Sequence, residues 1–256
     1  MLLEVQELTK YFSSDFFGKK KQAAVDHVNF SLKEGECLGL IGESGCGKST
    51  IGKMIAGLLK PDEGSILFEG QRTDCCKERE LRGLRRDLQI VFQYPQQAFN
   101  PKEKLIHAVR EPIRNFGLAA DAQEEERIID EMISSVGITA DQLNRYPHEI
   151  SGGQAQRIAI ARSLVLNPKL LIADEVTSML DVSVQAQILN ILMSEQKKRH
   201  LGMIFISHDL EVIRAVCDRI IVMKEGKIVE EGAVEAVFHK PQESFTRYLL
   251  NSYIEI

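Results

Sequence analysis

The chain has 256 residues, 44% hydrophobic and 27% charged, the balance of a folded globular protein rather than of a disordered or fibrous one. A net charge of −5 and a pI near 5.8 argue against a basic surface for nucleic acid. No apolar run nears the ~20 residues that cross a bilayer, and Glu4 interrupts any charged-then-apolar leader, so a cytosolic chain is expected and any pore must come from other chains.

In chain order, residues 3–11 and 24–32 look like strands joined by a charged loop. Lys19, Lys20 and Lys21 in that loop read as solvated surface, as do Lys197, Lys198 and Arg199 further on. Residues 37–41 are apolar throughout, which suits a strand buried on both faces. A glycine-rich turn follows, and then Ile51, Met54, Ile55 and Leu58 recur at helical spacing. From about residue 94 the character changes to polar, with Pro95, Pro101, Pro112 and Pro147. One amphipathic helix stands out there, marked by Ile128, Ile129, Met132, Ile133 and Val136. Apolar strands return at 170–173, 203–206 and 220–223, with a helical stripe of Val184, Ile188, Ile191 and Leu192 between the first two. The alternation predicts an α/β fold: a mostly parallel sheet flanked by helices, an N-terminal antiparallel β portion and an inserted helical subdomain. The expected organisation is one domain over 1–256, with the α/β core at 1–93 and 156–256 and the insertion at about 94–155. Five cysteines, at 37, 46, 75, 76 and 217, form no C-x-x-C pair and no metal-ligand spacing, which fits reduced thiols.

Gly42-Glu43-Ser44-Gly45-Cys46-Gly47-Lys48-Ser49-Thr50 sits between the first apolar strand and its helix. Glycines there let backbone N–H groups wrap a phosphate chain, and the helix that follows turns its positive end to the same anion. Lys48 adds a compact cation, and the Ser49 hydroxyl is a ligand type that Mg²⁺ accepts. A buried strand then ends in Asp174-Glu175. Two acids at a strand end are by themselves more often a turn. Beside a phosphate cradle, at the sheet edge where doubly wound folds bind ligands, Asp174 would hold Mg²⁺ through water and Glu175 would polarise an attacking water as general base. Gln93 and His208 also follow short apolar strands; alone either is usually satisfied structure, but here His208 could donate to a terminal phosphate and Gln93 could touch Mg²⁺ and the water.

Ser151-Gly152-Gly153-Gln154 opens a long helix. Ser151 and Gln154 have the spacing of a capping box, and the two glycines also make a second anion site at a helix N-terminus. A chain with its own phosphate loop and a second anion site suggests that a partner supplies the second nucleotide.

Together these segments resemble the nucleotide-binding subunits of ATP-binding cassette (ABC) transporters, in family order and over essentially the whole chain. The resemblance implies a P-loop NTPase core. Gln93 falls in the Q-loop, residues 150–154 in the signature, Ser178-Met179-Leu180-Asp181 in the D-loop and His208 at the switch histidine, while Tyr11 sits where the family places an adenine-stacking aromatic. It also implies a head-to-tail pair in which each ATP and its Mg²⁺ lie between one phosphate loop and the other subunit's signature and D-loop (Ser151, Gly152, Gly153, Gln154, Asp181). Closure completes the site and ties hydrolysis to movement.

Finer features, including Val91-Phe92-Gln93-Tyr94-Pro95, Phe99-Asn100-Pro101, Glu111-Pro112 and residues 181–187, resemble importers of oligopeptides, dipeptides or nickel. That resemblance implies a second ABC ATPase subunit (a paralogue, or the chain itself), two transmembrane permease subunits and an extracytoplasmic substrate-binding protein, with this chain peripheral on the cytoplasmic face of the membrane and no nucleic acid. Tyr94 replaces the family's usual Asp, Val176 its Pro and Met179 a small D-loop residue; none is a group expected to touch nucleotide, so activity is expected. The alternative is a soluble ABC-type ATPase of DNA repair or translation. Such proteins usually carry two cassettes or large insertions. A cassette without catalysis is a third reading, opposed by intact Glu175, Gln93 and His208.

Overall fold

The structure, a computed structural model, describes residues 1–13, 21–76 and 78–254; Lys19 and Lys20 of the basic run lie outside them. In chain order the strands are β1 Leu3–Ser13, β2 Lys21–Leu32, β3 Cys37–Gly42, β4 Glu63–Phe68, β5 Gln71–Arg72, β6 Leu88–Val91, β7 Leu170–Asp174, β8 Gly202–Ile206, β9 Arg219–Lys224 and β10 Lys227–Ala233. The helices are α1 Lys48–Ile55, α2 Glu78–Asp87, α3 Leu105–Phe116, α4 Ala122–Ser135, α5 Ala140–Leu143, α6 Gly152–Leu164, α7 Val182–Arg199, α8 Leu210–Val216, α9 Val234–His239 and α10 Ser244–Ile254. They fall into two compact units, Met1–Arg85 with Gly202–Ile256, and Arg86–Leu201.

The first unit contains an antiparallel sheet in the order β2-β1-β4-β5. Its other strands centre on β3, which is parallel to β8 on one side and to β9 on the other; β10 closes the far edge antiparallel to β9. All six residues of β3 are buried, as the unbroken apolar run predicts for a central parallel strand. Each Leu or Ile so buried contributes about 1.5–3 kcal/mol. Helix α1 buries Ile51, Met54 and Ile55. Leu58 does not share that face and stays 54% exposed. The helix ends before it: Gly57 N–H bonds Met54 O and Leu58 N–H bonds Lys53 O, a Schellman turn that redirects the chain. Arg219 ties β9 to its surroundings through Glu36, Glu231 and the carbonyl of Ser31. Cys37 at the start of β3 and Cys217 just past the end of α8 are both buried, their thiols 3.6 Å apart, and burial pushes the Cys217 thiol upward.

In the second unit β6 and β7 run parallel, Leu88 opposite Leu170 and Val91 opposite Ala173. Helix α6 is buried along Ile158, Ile160, Ala161 and Leu164. Residues 94–155 hold α3, α4, α5, two single 3₁₀ turns and the start of α6, and no strand. Helix α4 buries Ile129, Met132 and Ile133; of the rest of the apolar stripe, Ile128 is half-buried and Val136, just past the helix, is buried. It is clamped to α3 by Arg114, whose Nε and Nη2 donate to Glu125 at 2.7 and 2.8 Å. That guanidinium holds the Glu125 carboxyl below its ordinary range. No helix among the described residues is long and apolar enough to cross a membrane.

Candidate functional site

The first unit carries the phosphate loop, residues 43–47, between β3 and α1. Gly47 has φ 108°, a left-handed conformation that favours glycine. A side chain there would also collide with β2, since a Cβ would lie 2.3 Å from the Ala24 carbonyl oxygen. The glycine therefore lets the loop rest directly on β2. The β9–β10 turn supports it from another side, with Gly226 N–H donating to Cys46 O at 3.2 Å and Asp26 N–H to Gly226 O at 2.9 Å. Lys48 is buried, and its Nζ donates to Gly42 O at 2.7 Å and Glu43 O at 2.8 Å, with Cys46 Sγ at 3.6 Å. Ser49 and Thr50 are half-buried in the first turn of α1. Glu43, Ser44 and Gly45 are exposed. The arrangement gathers a fixed cation and a helix N-terminus at one loop, as an anion requires.

A cavity of ≈ 560 Å³ opens beside this loop, lined by residues 43–46, by Glu225 and Gly226, and by Phe12, Gln22, Ala23 and Ala24 of β1 and β2. Tyr11, expected as the aromatic of this site, is not in its wall; Phe12 is. Phe12 pairs with Gln22 across the antiparallel ladder, and Tyr11 with Ala23. Tyr11 meets other neighbours: its N–H donates to Asp62 Oδ2 at 2.8 Å, Lys21 Nζ lies 6.0 Å from its ring, and the nearby Glu63 carboxylate raises its phenol above the ordinary value. His208, also in this unit, is exposed just past β8.

In the second unit, β7 ends at Asp174, buried to 6% exposure. Glu175 then turns the chain with φ 51°, its carbonyl accepting from Ser178 N at 3.1 Å and Ser178 Oγ at 2.8 Å. The neighbouring Val176 and Thr177 are buried, so the turn is fixed from below while the Glu175 side chain stays half-buried. Gln93, just past β6, donates from Nε2 to Glu175 Oε2 at 3.1 Å. The parallel pairing of β6 with β7 thus brings together two residues that the sequence marked separately.

Ser151 caps α6. Gln154 N donates to Ser151 Oγ at 3.3 Å and Ser151 N to Gln154 Oε1 at 3.0 Å, so the capping box forms. Ser151 and Gly152 remain exposed, leaving the helix N-terminus open to solvent. Gly153 is buried, and a Cβ there would lie 2.4 Å from Val184 Cγ1; glycine lets α6 approach α7 this closely. Asp181 caps α7, accepting from Val184 N at 3.0 Å. Of the departures noted in the sequence, Tyr94 and Met179 are exposed and Val176 is buried.

A family model described as "ABC transporter" matches residues 25–178, more than half of the chain. The chain belongs to the ABC transporter family. This ABC chain is 44% identical to the oligopeptide transport ATP-binding protein AppF of Bacillus subtilis, over 98% of its own length and 78% of that protein's. It is 42% identical to the oligopeptide transport ATP-binding protein OppF of Escherichia coli, over 98% of its length and 77% of that protein's. Among solved structures it is similar to a dimeric ATP-binding cassette in a post-hydrolysis state bound to ADP and Pi, with a TM-score of 0.82 and 30% identity over 91% of this chain and 98% of that one.

For this ABC chain, Phe12 is the cavity aromatic that sequence reasoning passed over, and Gln22, Ala23, Ala24, Glu225 and Gly226 are further lining residues it did not single out. The signal was available only in part. Alternation puts Tyr11 and Phe12 on opposite faces, but which face looks at the phosphate loop depends on an irregular register between Lys10 and Tyr11.

Proposed function

We propose that the chain is the ATP-binding and ATP-hydrolysing subunit of an ABC importer of oligopeptides, working with separate membrane subunits. The observation that carries this reading is the phosphate loop: a buried lysine fixed in a glycine-shaped turn at the head of α1, with an open cavity alongside. Two relatives named for oligopeptide transport favour peptide cargo over nickel or other metal chelates. They also disfavour a soluble ATPase of DNA repair or translation.

In this reading the loop amides, Lys48, Ser49 and Thr50 hold the phosphates and Phe12 stacks on the base. Glu175 takes a proton from the attacking water, Gln93 orients Glu175 and that water, and His208 donates to the terminal phosphoryl group. Ser49, Gln93 and Asp174 offer hydroxyl, carboxamide and carboxylate oxygens, the hard donor set that suits Mg²⁺. No cluster of three or more His, Cys, Asp or Glu able to hold a metal occurs among the described residues, which fits an ion held by few side chains together with phosphate oxygens and water. When bound, the ion supplies charge neutralisation at the phosphates. The exposed α6 N-terminus at Ser151 to Gln154, with the D-loop around Asp181, would meet the nucleotide of a second ATPase subunit, a paralogue or another copy. Two permease subunits, an extracytoplasmic binding protein and a place on the cytoplasmic face of the membrane complete the proposal.

The test is ATP turnover by the complex purified from membranes and reconstituted in vesicles. Peptide-loaded binding protein is expected to stimulate hydrolysis and drive peptide uptake; hydrolysis with no response to any peptide, or no nucleotide at the loop, sinks the reading. Two further results are expected. Base–aromatic stacking contributes ~1–3 kcal/mol, so Phe12→Ala should raise the KM for ATP about 5- to 150-fold, while Tyr11→Ala leaves it nearly unchanged; the reverse order would restore Tyr11. Alkylation of Cys46, in the cavity wall, should block turnover in a Cys75→Ser, Cys76→Ser background, and bound ATP should slow the modification. Full turnover after complete modification, verified by mass spectrometry, would contradict that expectation.

A further inference from the structure

The cavity beside the phosphate loop has a backbone end, at residues 43–46, and a side-chain end, where Phe12 and Gln22 project from β1 and β2. Phe12 and Gln22 are direct partners in the antiparallel ladder, so their side chains leave the same face with Cβ atoms about 4.5–5.5 Å apart. Both are exposed toward the cavity rather than packed in the core. A planar ring laid on Phe12 therefore has its edge within the reach of a glutamine side chain. The other lining residues near this end offer less. Ala23, Ala24 and Gly226 bring no polar side chain, and Glu225 carries an acceptor only. Among the described residues, Gln22 is the lining side chain at this end that both donates and accepts.

We propose that Gln22 reads the edge of the nucleobase and biases the site toward adenine over guanine. The proposal rests on nucleotide binding at the phosphate loop as set out above. A carboxamide presents an N–H donor beside a carbonyl acceptor. Adenine offers the complement, the N7 acceptor beside the N6 amine, and pairs with glutamine through two hydrogen bonds. Along the same edge guanine presents N7 and O6, two acceptors, and the carboxamide oxygen is left facing a lone pair. A site that hydrogen-bonds a substrate group discriminates against the analogue that lacks it.

The experiment compares the assembled transporter carrying the wild-type chain with one carrying Gln22→Leu, which leaves an apolar branched side chain one methylene shorter and removes both polar atoms. KM and kcat are measured with ATP, GTP and 7-deaza-ATP. The wild type is expected to favour ATP. Gln22→Leu should raise the KM for ATP about 3- to 10-fold, the range of one or two partly exposed hydrogen bonds, with kcat preserved and the KM for GTP shifted far less. In the wild type, 7-deaza-ATP, which lacks the N7 acceptor, should bind more weakly than ATP; in the variant the two should be equal. A merely structural role would shift all three nucleotides together. An unchanged ratio of ATP to GTP between wild type and variant overturns the assignment to Gln22 while leaving the ATPase reading intact. Failure of the wild type to bind or hydrolyse any of the three overturns both.

Discussion

Glu175→Gln is expected to slow ATP turnover by the assembled transporter by about 10²–10⁴-fold, the usual contribution of a general base, while ATP still binds. The substitution is nearly isosteric. It keeps an oxygen able to accept from Gln93 Nε2, now 3.1 Å from Glu175 Oε2, and it leaves the turn set by Ser178 and the buried Val176 and Thr177 untouched. What disappears is the basicity of one carboxylate. Single-turnover hydrolysis, measured beside equilibrium ATP binding, separates the two properties. Near-normal turnover with intact binding would remove Glu175 from the role of base.

Lys48→Met should act on binding itself. A hydrogen bond to a charged group contributes about 1.5–3 kcal/mol, so loss of the ammonium should weaken ATP binding by roughly 10- to 150-fold. Methionine retains most of the buried volume but not the charge, and it leaves the Gly42 and Glu43 carbonyls without the donor they now share. A lower melting temperature of the nucleotide-free protein should therefore accompany the loss of affinity. An unchanged Kd for ATP would contradict the assignment of Lys48 to the phosphates.

The two expected results draw on parts of the chain that were readable to different depths. The phosphate loop was legible because its chemistry is written in consecutive residues: glycines in the turn, one of them, Gly47, where β2 comes too close for a side chain, and lysine and serine where the helix begins. The capping box of Ser151 and Gln154 was equally local, and the apolar runs marked β3, β8 and β9 in the first unit and β7 in the second as buried parallel strands directly. Tertiary relations were not local. Leu58 fits the helical stripe, yet a turn at Gly57 ends the helix first. The choice between Tyr11 and Phe12 depends on an irregularity in strand pairing. The contact of Cys37 with Cys217 joins residues 180 positions apart, and the need for glycine at 153 comes from Val184 on another helix. In each case the deciding neighbour is distant in sequence, and periodicity within one element carries no information about it.

Because the ammonium of Lys48 is already moored by carbonyls of its own turn, the cradle's shape belongs to the folded chain and is not something a visiting nucleotide has to impose. In the proposed reading, loading and unloading are an exchange of oxygen partners around a single nitrogen, carbonyl oxygens for phosphate oxygens.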